Sequence, residues 1–403
     1  MSSASLAPPL LTKATEKVKV GVLLLNLGGP ERSEDVEGFL FNLFADPDII
    51  RLPGILTLFQ SPIAAFISAR RAPKSKAAYE SIGGGSPIVK YTKAQAKGIE
   101  EGMQRKGIDA KAYVAMRYWH PFTEQALDEM RNDGVNTIVV LPLYPHFSIS
   151  TSGSSLRVLR NLFAGSEGEK LGSVPHTVVP AWYDRPGYVK AVAGLIKREI
   201  NKYTHEERTT GEGVHVLFSA HGVPNSYIEL GDPYQSHVQK CVELIQAEYE
   251  DEEVTSHLSY QSRVGPIEWL KPYTEDIIPQ LGLGGVRNLV VVPISFVSEH
   301  IETLEEIDME YRELAEANGV SNWRRVPALN TDPLFLEDLS DLCIEALQEP
   351  MVTITEACAS NNVDIEEEEQ ADGINKVTVA SAGAMVLDAV FGQGLAHTTL
   401  LGQ

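Results

Sequence analysis

Cysteine is scarce in this chain. Three occur in 403 residues, Cys241, Cys343 and Cys358, spaced too widely for a disulfide framework, a zinc ribbon or a cluster site. A reducing compartment is the default reading. Basic charge is also in short supply: 34 Lys and Arg stand against 55 Asp and Glu, a net charge of −21. That balance argues against nonspecific nucleic-acid binding and suits a cationic partner such as a metal ion. Long apolar runs are missing too, since none reaches the roughly 18 to 20 residues of a membrane-spanning helix. Neither NLGGP (26–30) nor IGGGSP (82–87) has the spacing of a dinucleotide fingerprint or phosphate loop. FSAHGVP and STSGSS offer serine and histidine, but no Gly-x-Ser-x-Gly elbow follows a strand. Nucleotide binding and serine hydrolysis are therefore set aside.

What is present is an alternation of buried strands and helices. Continuous apolar runs at 20–27, 112–116, 137–143, 176–182, 214–218, 257–260, 288–294 and 324–329 predict strands buried on both faces. Helices are predicted at 92–107, 123–134, 188–203, 234–249 and 301–319. This pattern predicts an α/β fold of two Rossmann-like, doubly wound lobes, each around a four-stranded parallel sheet, facing each other across a cleft. The expected boundaries are 18–183 and 184–347, and 43% hydrophobic residues suffice for two cores.

Three segments stand outside that alternation. The stretch 38–73 is a long apolar insertion broken by prolines and ended by Arg70 and Arg71, read either as a helical hairpin or as an apolar lip. Residues 1–17, rich in Ser, Ala and Pro, read as a disordered or targeting remnant. Residues 348–403 read as an acidic, poorly ordered tail, with eight acids and one lysine after position 350.

The chemically suggestive residues follow the strands, where ligands of open parallel sheets sit. His221 ends the first strand of the second lobe. His300 and Glu302 follow its third, and the two strands are expected to be neighbours. On an α-helix Glu302, Glu306 and Glu310 would share one face. Such a row repels itself unless it binds cations, and imidazole plus carboxylate suits a first-row divalent metal or a proton. A solvated acidic face is the plainer reading.

The stretches LLNLGGPERSEDVEGFLFNLFADPDIIRLP, IGGGSPI, MRYWHPFTEQAL, LPLYPHFSISTSGSS, LFSAHGVPNSYIELGDPY, SYQSRVGPIEWLKPYTED and PISFVSEHIETLEEIDMEY together resemble ferrochelatase. This family inserts ferrous iron into protoporphyrin IX to make protohaem. The likeness runs in order from about 18 to 347 and is strongest to the cyanobacterial and plastid branch. It implies a porphyrin cleft between two nucleotide-free lobes, with the 38–73 insertion as its lip. By that resemblance His221 is the proton acceptor or metal ligand, with Glu302 its partner and His300 and Glu299 extending the site. Glu306 and Glu310 continue it as a route for iron or protons. Arg71 and Tyr79 would meet porphyrin propionates or the lip, Arg117 and Tyr118 the metal-facing side, and Leu27 and Trp269 the macrocycle.

Departures from the family pattern matter as well. Some members hold a [2Fe-2S] cluster on four cysteines. Here Ile149 occupies the loop of the upstream cysteine, so no permanently bound cofactor is expected, and Fe2+ is substrate. The tail lacks the Asn-Gly-Arg motif of photosynthetic members, which argues against pigment binding at 378–397. The partners expected are protoporphyrin IX and ferrous iron, with no nucleic acid and with membrane contact only through the lip. A monomer or homodimer is compatible, in the chloroplast if the source is eukaryotic and otherwise in the cytoplasm. Two rivals stay open: a chelatase for coproporphyrin III or cobalt, and a non-catalytic porphyrin or metal carrier.

Overall fold

A computed structural model describes residues 18–360, apart from 48, 51, 53, 166–171, 210, 250–253, 265–266 and 295. The expectations for 1–17 and for the tail from 361 lie outside the described residues. Two four-stranded parallel sheets are present, ordered β2-β1-β3-β4 and β6-β5-β7-β8. In the first, β1 (Val20–Asn26) lies between β2 (Ala110–Met116) and β3 (Thr137–Pro142), with β4 (His176–Val178) at the edge. In the second, β5 (Val214–His221) lies between β6 (Val254–Gln261) and β7 (Asn288–Ile294), with β8 (Asn322–Arg325) outermost. Every residue of β1, β3 and β7 is buried, as expected when helices cover both faces. Strands one and three of the second lobe do pair, Ala220 opposite Ile294.

The helices used below are α1 (Val36–Phe44), α2 (Gln60–Ser81), α3 (Ile88–Arg105), α4 (Thr123–Asp133), α5 (Ser154–Ala164), α6 (Pro186–Ile200), α7 (Tyr234–Ala247), α8 (Thr274–Leu283), α9 (Tyr311–Ala317), α10 (Pro333–Gln348) and α11 (Ile354–Ser360). The insertion is the helical hairpin of α1 and α2, with a 3-10 turn between them. α2 runs past the predicted end at residue 73, through Pro73 to Ser81. Val36, Phe39 and Leu40 of α1 pack on Ala64 and Ile67 of α2 over Tyr118. Leu58, Phe59 and Phe66 stay exposed at 77%, 53% and 56%.

The largest core cluster crosses between lobes. Val22 and Leu24 of β1, Val216 and Phe218 of β5, and Phe335 and Leu339 of α10 belong to it. Ion pairs run along α10: Glu337 meets Arg105 at 2.6 Å and Lys106 at 2.7 Å, and Asp338 meets Arg185 at 2.7 Å. Apolar burial dominates the energetics, since exposed pairs contribute at most about 1 kcal/mol each. Residues 351–359, which composition assigns to the tail, are folded back onto the first lobe. The N–H of Val178 donates to the Val352 carbonyl at 2.8 Å, and Ile354 and Cys358 of α11 are buried with Leu156 and Phe163 of α5. Their apolar spacing escaped the charge-based reading because the acids lie mostly beyond them. Among the described residues no helix is long and apolar enough to cross a membrane.

The predicted α-helix over 301–319 is a different object. Glu302–Glu310 is a π-helix, continued by α9. A shorter π-helix, Ile149–Gly153, follows β3 in the first lobe. Both therefore occupy the segment after the third strand of their lobe. A π-helix closes i→i+5 hydrogen bonds and recurs at functional sites.

Candidate active site

The site is built at the carboxyl ends of β5, β6 and β7. Parallel pairing sets His221 opposite Gln261 at the ends of β5 and β6. The chain turns at Gly222, where an added Cβ would stand 2.8 Å from the Gln261 carbonyl oxygen and 3.3 Å from Trp269. Trp269 thereby lies against Gly222, the residue after His221, its indole N–H donating to the Val264 carbonyl at 2.8 Å. Tyr234, opening α7, donates its O–H to the His221 carbonyl at 2.9 Å.

His221 Nδ1 lies 2.9 Å from Glu302 Oε2, with the imidazole 38% exposed. Burial alone would lower the His221 pKa, yet the Glu302 charge and hydrogen bond override it and the net shift is upward. Burial would likewise raise the Glu302 pKa, and the facing His221 instead holds it down to about 2. The carboxylate thus fixes Nδ1 as donor and leaves Nε2 with its lone pair, the arrangement that raises imidazole basicity. Ser219 donates to Gln261 Oε1 at 2.7 Å and so turns the Gln261 amide nitrogen toward Glu302, 3.5 Å away.

His300 is buried, with Nε2 3.9 Å from Glu302 Oε1. Burial lowers its pKa, so it stays neutral between two acids that pull the other way, Glu302 and Glu299. The Phe296 ring lies 4.4 Å from the His300 ring and 6.4 Å from the His221 ring. Glu306 accepts from Ser262 Oγ at 2.9 and 3.0 Å and from Tyr311 O–H at 2.9 Å. Burial, then the charge of Glu302, raises its pKa to about 7. Ser262 adopts φ 62°, a left-handed conformation rare for serine, which aims its hydroxyl at this carboxylate.

The other expected residues divide. Tyr79 of α2 is buried where the Glu302 charge reaches it; burial first and that charge second push its phenol well up. Leu27 and Ile301, the residue before the π-helix, each pack against the cluster beneath the lip. Glu310 is exposed at the outer end of the π-helix, beside Glu305, whose pKa rises through burial and then the Glu310 charge. Glu299 is not turned to His221. Its carboxylate is held by Arg325 at 2.9 and 3.1 Å and by the N–H of Ala328 at 3.1 Å, a closed buried ion pair. Arg117 and Tyr118 are also committed elsewhere: both bond the buried Asp46, at 2.6 and 2.7 Å, and Arg117 Nε donates to Ser154. Arg71 lies over the Phe44 ring of the lip at 5.7 Å.

Sequence reasoning missed Gln261, Ser262, Phe296, Glu305 and Tyr311. The first three sit in stretches already flagged after strands, and what marks them out is contact with Glu302, Glu306 or His300, which no spacing displays. Among the described residues no group of three or more His, Cys, Asp or Glu is gathered to hold a metal by itself.

The sequence has known counterparts. The family profile described as Ferrochelatase matches residues 19–347. The chloroplastic ferrochelatase-2 of Arabidopsis thaliana is 56% identical over 336 residues, covering 83% of this chain and 64% of that protein. Ferrochelatase of a Cyanothece species is 54% identical over 334 residues, covering 82% and 84%. That of a Synechocystis species is 53% identical over 336, covering 83% and 84%. The chain thus spans 62% to 64% of the length of the Arabidopsis and rice ferrochelatase-2 proteins. With most of its length matched, site included, this chain belongs to the ferrochelatase family.

Proposed function

We propose that this protein inserts ferrous iron into protoporphyrin IX, forming protohaem and releasing two protons. The observation that carries the reading is the Glu302-held imidazole of His221 at the end of β5, within a chain of this family. A planar porphyrin keeps its nitrogen lone pairs in the ring plane and carries two N–H protons, so a metal cannot enter from one face until the ring bends. Binding to the apolar walls provided by Leu27, Ile301 and Trp269 supplies the energy for bending. His221 takes a proton at Nε2, and Glu302 stabilises the imidazolium that results. Glu306, whose pKa is about 7, exchanges protons at neutral pH one step further out. Iron approaches along the same carboxylates from Glu310.

Such a site must release its metal to four porphyrin nitrogens, which suits two protein ligands better than a closed cage. We place no resident iron–sulfur cluster in the protein. The three cysteines lie buried on three separate helices, α7, α10 and α11, which supports that view. We place it in the plastid, as the names of its plant relatives suggest, with the exposed Leu58, Phe59 and Phe66 of the lip toward a membrane surface.

Anaerobic incubation with ferrous iron and protoporphyrin IX, followed by the haem spectrum, tests the reading. Multiple turnovers are expected. Stoichiometric porphyrin uptake without insertion would make the protein a carrier, and faster turnover of coproporphyrin III would move it to another substrate.

A further inference from the structure

Tyr311 closes the second π-helix and opens α9. Its N–H donates to the Glu306 carbonyl across five residues, and its phenol O–H donates to the Glu306 carboxylate at 2.9 Å. On an α-helix, residues five apart point about 140° away from one another. The π register alone brings these two side chains together. The ring is half-buried beside Leu281 and Leu314, in the core cluster that also holds Ile307. Burial and the neighbouring Glu306 both keep the phenol protonated, so it stays a donor. From the opposite side the Ser262 hydroxyl, fixed by its left-handed backbone, reaches the same carboxylate at 2.9 and 3.0 Å. Glu306 is thus clamped between a hydroxyl on the loop after β6 and one on the helix itself, facing Glu302 and His221.

We infer that Tyr311 is a positioning residue for metal delivery, holding the Glu306 carboxylate in the orientation that captures a divalent cation and passes it to Glu302 and His221. This rests on the chelatase reading. Without the O–H, Glu306 keeps one anchor and swings, so capture suffers while the proton chemistry at His221 does not.

Tyr311→Phe removes the O–H and keeps the ring. The metal concentration for half-maximal rate should rise about tenfold, the size expected for one hydrogen bond to a charged group, with ferrous iron and with zinc alike. The rate at saturating metal and the porphyrin KM should stay within about twofold of wild type. In a Glu306→Gln background the same replacement should do nothing further, because its effect runs through that carboxylate. Zinc affinity without porphyrin, measured by calorimetry alongside a thermal melt, gives a reading independent of turnover and should weaken in parallel. An unchanged metal dependence, a loss confined to the saturated rate, or an undiminished effect in the Glu306→Gln background would each overturn the inference and leave the chelatase reading standing. A wild-type protein that forms no metalloporphyrin from either ion would overturn both.

Discussion

The two lobes share a sheet order, and their equivalent strands end in opposite ways. β1 ends at Asn26, whose side chain is used up internally: its amide donates to Thr92 at 3.0 Å, and its carbonyl accepts the N–H of Leu27 at 2.8 Å. β5 ends at His221, which leaves a ring nitrogen for chemistry. The segments after the third strands diverge likewise. The first π-helix is short and sewn into the structure, with Ser148 Oγ and the N–H of Ile149 both donating to the buried Asp232 of the other lobe at 2.8 Å. The second is nine residues long and turns carboxylates toward the site. One topology therefore yields a closed end and a reactive end. The difference lies in whether a strand-end side chain satisfies itself or waits for a ligand.

The strongest test of that contrast replaces both strand-end residues. His221→Ala should cut the saturated rate by roughly 10²- to 10⁴-fold, as loss of a general base does, and should also remove the stability that its pairing with Glu302 supplies. Asn26→Ala should act on stability alone. It strands buried partners, costs about 1–3 kcal/mol of stability, and leaves the rate within a few-fold. Anaerobic haem assays and thermal melts on both proteins decide it, and similar rate losses would abolish the contrast.

Glu299→Gln probes the closed side of the reactive lobe. Removing one partner of its buried pair with Arg325 should destabilise by about 3–5 kcal/mol, while the iron dependence of the remaining activity stays unchanged. A raised iron requirement with normal stability would return Glu299 to the metal path that its sequence position suggests.

The His221–Glu302 pair should leave a pH signature. His221 has a raised pKa when folded, so its contribution to stability is complete below its ordinary value of 6.5 and fades as pH rises through the raised one. Glu302, held at about 2, contributes above its ordinary 4.5 and fades as pH falls toward 2. The melting difference between wild type and Glu302→Gln should therefore be largest from about pH 4.5 to 6.5 and shrink on both sides. In the variant, burial acts unopposed by that charge, and His221 should titrate below 6.5 by NMR. A flat difference would show that the two groups do not share their charge.

The fold was legible in the sequence for a physical reason: strands buried on both faces, such as NLVVVPI, need unbroken apolar runs, and few other structures produce them. His221 and Glu302 were legible because strand ends are where open sheets place ligands. The π-helix was not, because its i→i+5 register goes with tertiary anchors, such as the buried Ile307 and the bond of Ser262 to Glu306, that no periodicity displays. Glu299 misled for a related cause. It adjoins His300 in sequence, but its partner Arg325 comes from a different strand.

The smallest effect belongs to Glu310. Sequence spacing ranks it with Glu306, but the structure separates them, for Glu306 is clamped by two hydroxyls while Glu310 is exposed and repels Glu305. An exposed carboxylate in water attracts a cation weakly and is screened by salt. Glu310→Gln should therefore raise the iron concentration for half-maximal rate by no more than about threefold, a long-range charge effect, and that rise should vanish in high salt. Relief of the Glu305 contact should at the same time stabilise the protein by a few tenths of a kcal/mol, roughly the size of one like-charge pair on a helix. Iron titrations at two ionic strengths, paired with a melt, check both halves. A salt-insensitive, tenfold rise would make Glu310 a ligand in its own right and extend the reactive end of the second lobe to the protein surface.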